Sequence, residues 1–125
     1  MQILFNSSEE GSYPGLSILD GKIEKLSANQ LNKLPNNGFR EVTSCAKDAL
    51  YIGLKERNFF YFNHRFCLFK SATDAILGHS LHCNKFVASI NYKNIFGVQF
   101  HPEKSHLAGL KLLQNFAALV PKWNE

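Results

Sequence analysis

Runs of hydrophobic residues predict short β-strands through most of the chain and one amphipathic helix at its end. Apolar residues repeat at three- and four-residue spacing within residues 105–120, which predicts a helix that packs on a sheet and that Pro121 ends. Asp20-Gly21 joins the first two strands as a tight hairpin, because Asp-Gly tolerates positive backbone angles. The predicted strands cover residues 16–19, 22–26, 39–43, one or two segments within 59–69, 86–90 and 95–100.

The other segments predict helix, turn or loop. Apolar residues at helical spacing within residues 1–5 indicate a helix that runs into a polar loop at 6–11, and residues 46–56 fit a short helix or turn. Because that first helix has no N-cap and no preceding strand, we expect further chain upstream of Met1. Gly109 costs the last helix about 1 kcal/mol relative to alanine, which a close approach to neighbouring backbone would offset.

Length and composition indicate one globular domain. The chain has 125 residues, and its 45% hydrophobic content is sufficient for a core. No apolar run approaches the roughly 20 residues that span a bilayer, and the first residues lack the basic flank of a secretion signal. We therefore expect a cytoplasmic protein with no membrane partner. Cys45, Cys67 and Cys83 are odd in number and have no paired spacing, which indicates reduced thiols.

Charge and composition do not favour a nucleic-acid or metal site. The net charge of +4 comes from 14 basic and 10 acidic residues that are dispersed along the chain, as on a solvated exterior. The aromatic segment 59–69 lies beside Arg65 but lacks the glycine-containing signature of an RNA-recognition strand, which favours core packing. His79, His82 and Cys83 are potential zinc ligands without a second ligand cluster. No glycine-rich phosphate loop is present in the sequence.

His101, Pro102 and Glu103 follow a predicted buried strand and form the candidate catalytic pattern. Alternate side chains of an extended backbone point to one side, and Pro102 biases His101 towards that conformation. Glu103 can therefore reach the imidazole and orient it, as in the base and carboxylate of a catalytic triad. The same tripeptide is also typical of a surface histidine beside a turn proline. None of the three cysteines has the flanking glycines that are usual in a nucleophile turn, so all three are predicted to be structural.

Several segments together, in order along the chain, resemble the glutaminase subunit of imidazole glycerol phosphate synthase, within the class I glutamine amidotransferase family. The resemblance covers nearly the whole chain, and its most specific block is residues 94–105. It implies an α/β, flavodoxin-like amidotransferase domain. The other matching segments are residues 1–5, 7–11, 15–16, 21–23, 60–64 and 109–116.

The resemblance also implies an activity and a set of site residues. The family hydrolyses glutamine to glutamate and ammonia with a Cys-His-Glu triad, and it passes the ammonia to a synthase barrel subunit in a heterodimer for histidine biosynthesis. His101 corresponds to the base and Glu103 to the residue that orients it. Gln2 matches a position beside the glutamine side chain, and Glu10 one that binds the substrate amino group. Lys104 falls where the family faces its synthase. No cofactor and no metal are implied.

The chain departs from the family pattern at two functional places. The family nucleophile lies in a Gly-x-Cys-Leu-Gly-Met-Gln turn, and Met1-Gln2 matches only its end. Residues 1–125 are thus expected to be the C-terminal part of an amidotransferase domain that is truncated at its N-terminus. This part is expected to be inactive alone. The family has His-Ser-Tyr where this chain has His64-Arg65-Phe66, in a strand that contacts glutamine, which makes Arg65 and Phe66 candidate substrate-binding residues.

Two other functions are compatible with the resemblance. One is a divergent amidotransferase subunit that feeds ammonia into bacterial surface-sugar biosynthesis. The other is a non-catalytic module that binds the synthase through Lys104 and the basic surface. No nucleic-acid partner is expected in any of these cases.

Overall fold

The computed structural model describes residues 1–44, 47–71 and 74–119. Three short 3₁₀ turns lie at Gln2–Leu4, Ala49–Tyr51 and Pro102–Lys104. The α-helix, α1, spans His106–Leu119. The strands are β1 (Phe5–Ser8), β2 (Leu19–Lys25), β3 (Asn36–Ser44), β4 (Arg57–His64), β5 (Phe66–Leu68), β6 (Ile76–His82), β7 (Asn84–Tyr92) and β8 (Ile95–Val98).

The strands form two sheets. The smaller one has the order β1-β2-β5, with β1 parallel and β5 antiparallel to β2. The larger one is antiparallel and has the order β4-β3-β6-β7-β8. Beyond β8, the backbone N–H of Gln99 donates to the carbonyl of Ala88 in β7 at 2.8 Å. The N–H of His101 donates to the carbonyl of Tyr61 in β4, also at 2.8 Å. Residues 99–101, which we call the crossing segment, therefore run from the β8 edge of the larger sheet to the β4 edge and bring His101 beside β4.

Aromatic rings anchor that crossing segment in the core. Phe100 is buried and stacks on Phe60 with ring centroids 4.1 Å apart, and its ring meets that of Phe62 edge-on at 5.7 Å. Successive side chains of an extended backbone point in opposite directions. With Phe100 in the core, Gln99 and His101 point to the opposite side, towards the candidate site.

Several predicted elements are confirmed. The strand at 39–43 lies within β3, the aromatic segment forms β4 and β5, and the last two predicted strands lie within the hairpin of β7 and β8 together with the residues that follow it. Residues 27–33 form neither helix nor strand. The predicted C-terminal helix is α1, and Val120, its predicted last residue, lies outside the described residues. The apolar face predicted to pack on the sheet is wrong, however, because Leu107, Leu110 and Leu113 are exposed. The helix instead buries Gly109, Leu112 and Asn115.

The hairpin at Asp20-Gly21 and the N-terminal helix were predicted wrongly. Residues 19–25 form one continuous strand, because β2 pairs with β1 on one side and with β5 on the other. The side-chain oxygen of Asn6 accepts a hydrogen bond from the Gly21 N–H at 2.9 Å, which supports the extended path. Residues 1–5 form one 3₁₀ turn that leads directly into β1, since the pairing with β2 offsets the helical preference of that segment.

The sequence did not predict β6, in which three of the seven residues, His79, Ser80 and His82, are polar. Distant backbone groups bond to Ser80 and to one ring nitrogen of His82, whereas the other, Nδ1, is buried without a partner among the described residues. Ser80 donates to the carbonyl of Glu41 at 2.7 Å, and Nε2 of His82 lies 2.9 Å from the carbonyl oxygen of Lys33. Both side chains are buried, so a polar sequence here belongs to an interior strand. No helix in the described part of the chain is both long and apolar enough to cross a membrane.

The predicted close approach of neighbouring backbone to Gly109 is confirmed. A Cβ atom at this position would overlap the carbonyl oxygen of Pro102, and it would lie 2.8 Å from Cβ of Ser105. The N–H of Gly109 donates to the carbonyl of Ser105 at 3.1 Å. The glycine therefore allows α1 to pack directly on the turn that carries Glu103.

Candidate active site

His101 and Glu103 form a hydrogen-bonded pair at the end of the crossing segment. Nδ1 of His101 lies 2.8 Å from Oε1 of Glu103. His101 has an extended backbone with φ −100° and ψ 96°, as the following proline predicts. The predicted contact is therefore present, but its geometry differs from a continuous strand. Pro102 starts a 3₁₀ turn, and the first residues of that turn bring the carboxylate back to the ring.

Ser105 ties the backbone of this pair to β4. Its hydroxyl donates to the carbonyl oxygen of His101 at 2.6 Å and accepts the N–H of Tyr61 at 2.9 Å. Ser105 is only 2% exposed, so water cannot readily replace these bonds. One buried hydroxyl thus fixes the position of His101 relative to the sheet.

Replacing Ser105 with alanine is expected to lower the free energy of unfolding by about 1–3 kcal/mol, because the Tyr61 N–H then loses its partner. Urea unfolding of the two proteins measures the difference. Ser27→Ala, at an exposed loop position, is the matched control and should change stability little. Equal stability of the Ser105→Ala and Ser27→Ala proteins would contradict this role of the hydroxyl.

The electrostatics of the pair favour an ionised carboxylate. The pKa of Glu103 is lowered, first by a hydrogen bond from its own backbone N–H and then by the bond from His101 and the charges of His101 and Lys104. An ionised Glu103 accepts the proton on Nδ1 and thereby selects the tautomer with a lone pair on Nε2. Nε2 makes no hydrogen bond to a described residue. It is therefore the ring nitrogen available to take up a proton.

A cleft of about 360 Å³ is lined by eight residues, which do not include His101 or Glu103. It brings together Gln2, Glu10, Arg65 and Phe66, which the resemblance assigned to substrate binding. Gln99 also lines it, two residues before His101 on the same side of the crossing segment. The remaining lining residues are Pro35, Asn63 and His64.

The position of His101 relative to the cleft follows from two neighbouring strands. In β4, Asn63 lines the cleft and Tyr61, two residues earlier, pairs with His101. In the crossing segment, Gln99 lines the cleft and His101 follows on the same side. The positions of Asn63 and Gln99 thus place the His101–Glu103 pair at the margin of the cleft.

Lys104 lies on an exposed surface next to the pair. Its Nζ sits 5.6 Å from the centroid of the Tyr61 ring. Phe39 contacts Tyr61 edge-on at 5.6 Å and stacks on His106 at 5.2 Å. A cation and three aromatic rings therefore form one surface, which we call the Lys104 surface.

Sequence reasoning missed His64 as a cleft residue. It is 8% exposed, Nδ1 lies 2.9 Å from the carbonyl oxygen of Phe66, and Nε2 lies 2.9 Å from Nδ2 of Asn36. Burial lowers its pKa to about 4, against a smaller opposing effect of the Phe66 hydrogen bond. His64 is thus neutral, with its proton on Nδ1. The available signal was the alternation in β4, which places His64 on the same buried side as Phe60 and Phe62.

His64 makes stability sensitive to acid. The unfolded chain takes up the proton near pH 6.5, whereas the folded protein resists it until about pH 4. Between these values the unfolded state binds more protons, so the free energy of unfolding falls as the pH falls, by an amount on the order of 3 kcal/mol. Urea unfolding across this range measures the slope.

The matched variants separate His64 from other titrating groups. His64→Asn is expected to make the free energy of unfolding less dependent on pH, because asparagine cannot take up the proton. His106→Gln, at an exposed position, is expected to retain it. An unchanged slope in His64→Asn would show that His64 is not responsible.

Neither described cysteine is paired with His101 as its nucleophile. Cys67 is fully buried in β5, and burial with the nearby charge of Glu24 raises its pKa to about 12. Cys83 is half-buried in the turn between β6 and β7, where its Sγ lies 3.8 Å from the carbonyl oxygen of Asn32. Neither makes a hydrogen bond to His101. Cys45 lies outside the described residues.

The potential zinc ligands of the sequence do not assemble into a site. His79 and His82 belong to β6, and Cys83 lies in the turn that follows. Within residues 1–44, 47–71 and 74–119, no three His, Cys, Asp or Glu side chains group closely enough to hold a metal ion.

Comparison with known proteins identifies the fold and the family. Imidazole glycerol phosphate synthase subunit HisH of Leptospira interrogans is 41% identical over 122 residues, which are 95% of this chain and 60% of that protein. The subunit of the same name from Nitrosospira multiformis is 37% identical over 97% of this chain and 60% of its own length. This chain therefore spans about 60% of the length of these relatives.

A solved structure has the same fold. A chain described as a GMP synthase protein of Thermoplasma acidophilum superposes with a TM-score of 0.67, at 22% identity, over 83% of this chain and 50% of its own. The family model for class-I glutamine amidotransferases matches residues 1–119. The predicted α/β amidotransferase fold is thus confirmed, and the chain belongs to the class I glutamine amidotransferase family.

Proposed function

We propose that this chain provides the base, its orienting carboxylate and part of the substrate cleft of a glutamine amidotransferase subunit in histidine biosynthesis. The observation that carries the proposal is the 2.8 Å pair of His101 and Glu103 at the margin of a cleft. Glu10 and Arg65, one acidic and one basic residue, both line that cleft. Free glutamine carries one ammonium and one carboxylate group, so the two charges of the cleft complement those of the ligand.

His101 would act at Nε2. It accepts the proton of an attacking thiol, and the thiolate then adds to the side-chain amide carbon of glutamine. The same nitrogen returns the proton to the departing amine, which leaves as ammonia, and a thioester remains. Water then hydrolyses the thioester to glutamate. Throughout, Glu103 holds Nδ1 and stabilises the imidazolium that forms.

The proposal requires a thiol that the described cysteines do not supply. A buried thiol with a pKa of about 12, as in Cys67, is not ionised near neutral pH. We propose that the thiol comes from residues that correspond to the part of the relatives which this chain does not span. By family resemblance, the nucleophile turn ends at the position of Met1-Gln2, and Gln2 lines the cleft.

A fusion protein tests the proposed activity. The unmatched segment of the Leptospira interrogans relative is joined to Met1, and ammonia and glutamate are measured with glutamine as substrate. The fusion is expected to hydrolyse glutamine, and residues 1–125 alone are expected not to. An inactive fusion that unfolds cooperatively would contradict the proposal, as would turnover by the chain alone that His101→Ala abolishes.

The ammonia would pass to a synthase barrel subunit that binds at the Lys104 surface. The relatives named above are subunits of imidazole glycerol phosphate synthase, which supports this choice of partner. Lys104 and the aromatic rings around it provide an exposed cation beside apolar area, a combination that is frequent at interfaces.

The second candidate function is a non-catalytic module that binds the synthase without supplying ammonia. The Lys104 surface favours it, since that surface is complete without a thiol. A pull-down with the synthase subunit encoded in the same genome tests binding, and Lys104→Ala should weaken it relative to Lys85→Ala. Binding together with an inactive fusion would select this second function.

A further inference from the structure

Gln2 is held by two acceptors at the wall of the cleft. Its Nε2 lies 2.8 Å from the backbone carbonyl oxygen of Phe66 and 3.0 Å from Oε1 of Gln99. The carbonyl of Phe66 can only accept a hydrogen bond, so the atom that faces it is the amide nitrogen of Gln2. The same nitrogen can only donate, so Gln99 presents its oxygen. The orientation of both side-chain amides is therefore determined.

The polar group that Gln2 can offer a ligand follows from this arrangement. A side-chain amide has two N–H donors and one oxygen acceptor. Phe66 and Gln99 take both donors. The oxygen, Oε1, makes no hydrogen bond to a described residue. In a cleft lined by Gln2, this side chain is therefore available only as an acceptor.

His64 fixes the other end of the network. The carbonyl of Phe66 accepts from Nδ1 of His64 as well as from Gln2, which fills both of its lone pairs. His64 in turn is held by the amide of Asn36. The Phe66 carbonyl is thus positioned independently of Gln99. Removing Gln99 frees one of the two N–H groups of Gln2 without displacing the other acceptor.

We infer that Gln99 is a specificity-determining positioning residue that makes Gln2 an obligate acceptor, so that the cleft selects glutamine over glutamate. The inference rests on the function proposed above. The amide of glutamine donates to Oε1 of Gln2, whereas the carboxylate of glutamate is acceptor-only and meets an unpaired oxygen. An unpaired buried acceptor disfavours the wrong ligand. Gln99 acts through Gln2 and touches no reacting atom in this role.

The test measures selectivity, which a merely structural role would not change. Dissociation constants of L-glutamine and L-glutamate are determined by NMR titration of residues 1–125 and of two variants. Gln99→Met removes the acceptor at similar side-chain length, and Gln99→Glu retains an acceptor. The wild type and Gln99→Glu are expected to prefer glutamine. In Gln99→Met that preference is expected to fall by roughly 10-fold, because the freed N–H of Gln2 can now donate to a carboxylate.

Each other outcome overturns the inference. An unchanged ratio of the two constants in Gln99→Met, or a parallel weakening of both ligands, would show that Gln99 does not set the orientation of Gln2. That result leaves the proposed function intact, because the wild type still prefers glutamine. Failure of the wild type to bind either ligand refutes the proposed cleft and the inference together. As a direct check, the side-chain N–H protons of Gln2 should exchange with water faster in Gln99→Met.

Discussion

Replacing His101 with alanine in the fusion protein is expected to lower kcat for glutamine hydrolysis by about 10²–10⁴-fold, the range that a positioned acid–base group contributes. His101 moves the proton both in the attack of the thiol and in the departure of ammonia, so its loss slows both steps. KM should change little, because the lining of the cleft does not include His101. Steady-state ammonia release by the two proteins provides the measurement.

Replacing Glu103 should also lower kcat. Glu103→Gln replaces the carboxylate by an amide that can donate to Nδ1 and so favours the wrong tautomer of His101. We expect a loss of kcat of at least about 10-fold. His106→Gln changes an exposed histidine five residues from His101 and should leave kcat unaltered. Equal activity of the His101→Ala and His106→Gln proteins would contradict the assignment of His101 as the base.

Replacing Gly109 with alanine is expected to lower the free energy of unfolding by about 1–3 kcal/mol. Helix propensity alone predicts the opposite, a gain of about 1 kcal/mol, because alanine is the better helix former. The overlap of the new Cβ with the carbonyl oxygen of Pro102 is expected to outweigh the gain in helix propensity. To relieve it, α1 must move away from the turn that carries Glu103.

Urea unfolding distinguishes the two effects at Gly109. Ala117→Gly, at an exposed position of the same helix, is the control and should destabilise by about 1 kcal/mol through propensity alone. A more stable Gly109→Ala protein would show that the contact with Pro102 is not tight. In the fusion protein, Gly109→Ala should also lower kcat, since the displaced turn no longer holds Glu103 on His101.

The sequence predicted the elements whose determinants are local. The contact between His101 and Glu103 spans two residues, and the proline between them restricts the backbone, so the pair could be expected before the structure was known. The existence of helix α1 follows from apolar periodicity in the same way, but its buried face does not, since the leucines of the periodic pattern at 107, 110 and 113 are exposed. The close approach at Gly109 was predicted because such a contact offsets the helix propensity that a glycine costs.

Other features depend on distant partners and were not predicted. Asp20-Gly21 favours a turn locally, but pairing on both sides of β2 keeps it extended. Ser80 and His82 of β6 are buried, and each bonds to a backbone carbonyl far away in the sequence. The hydrogen bond between Gln2 and Gln99 joins residues 97 positions apart, and no local pattern indicates it. Family resemblance suggested Gln2 for the cleft, and it did not suggest Gln99 or His64.

The proposed mechanism requires that glutamine binds in the cleft near His101. It is tested most directly by NMR titration of isotope-labelled residues 1–125 with millimolar L-glutamine, with D-glutamine as the control. Saturable shifts of the Phe66, Gln99 and His101 amides are expected with the L-isomer. Absence of shifts at these three residues, or larger shifts around the separate cavity lined by Tyr51 and Lys55, would contradict it.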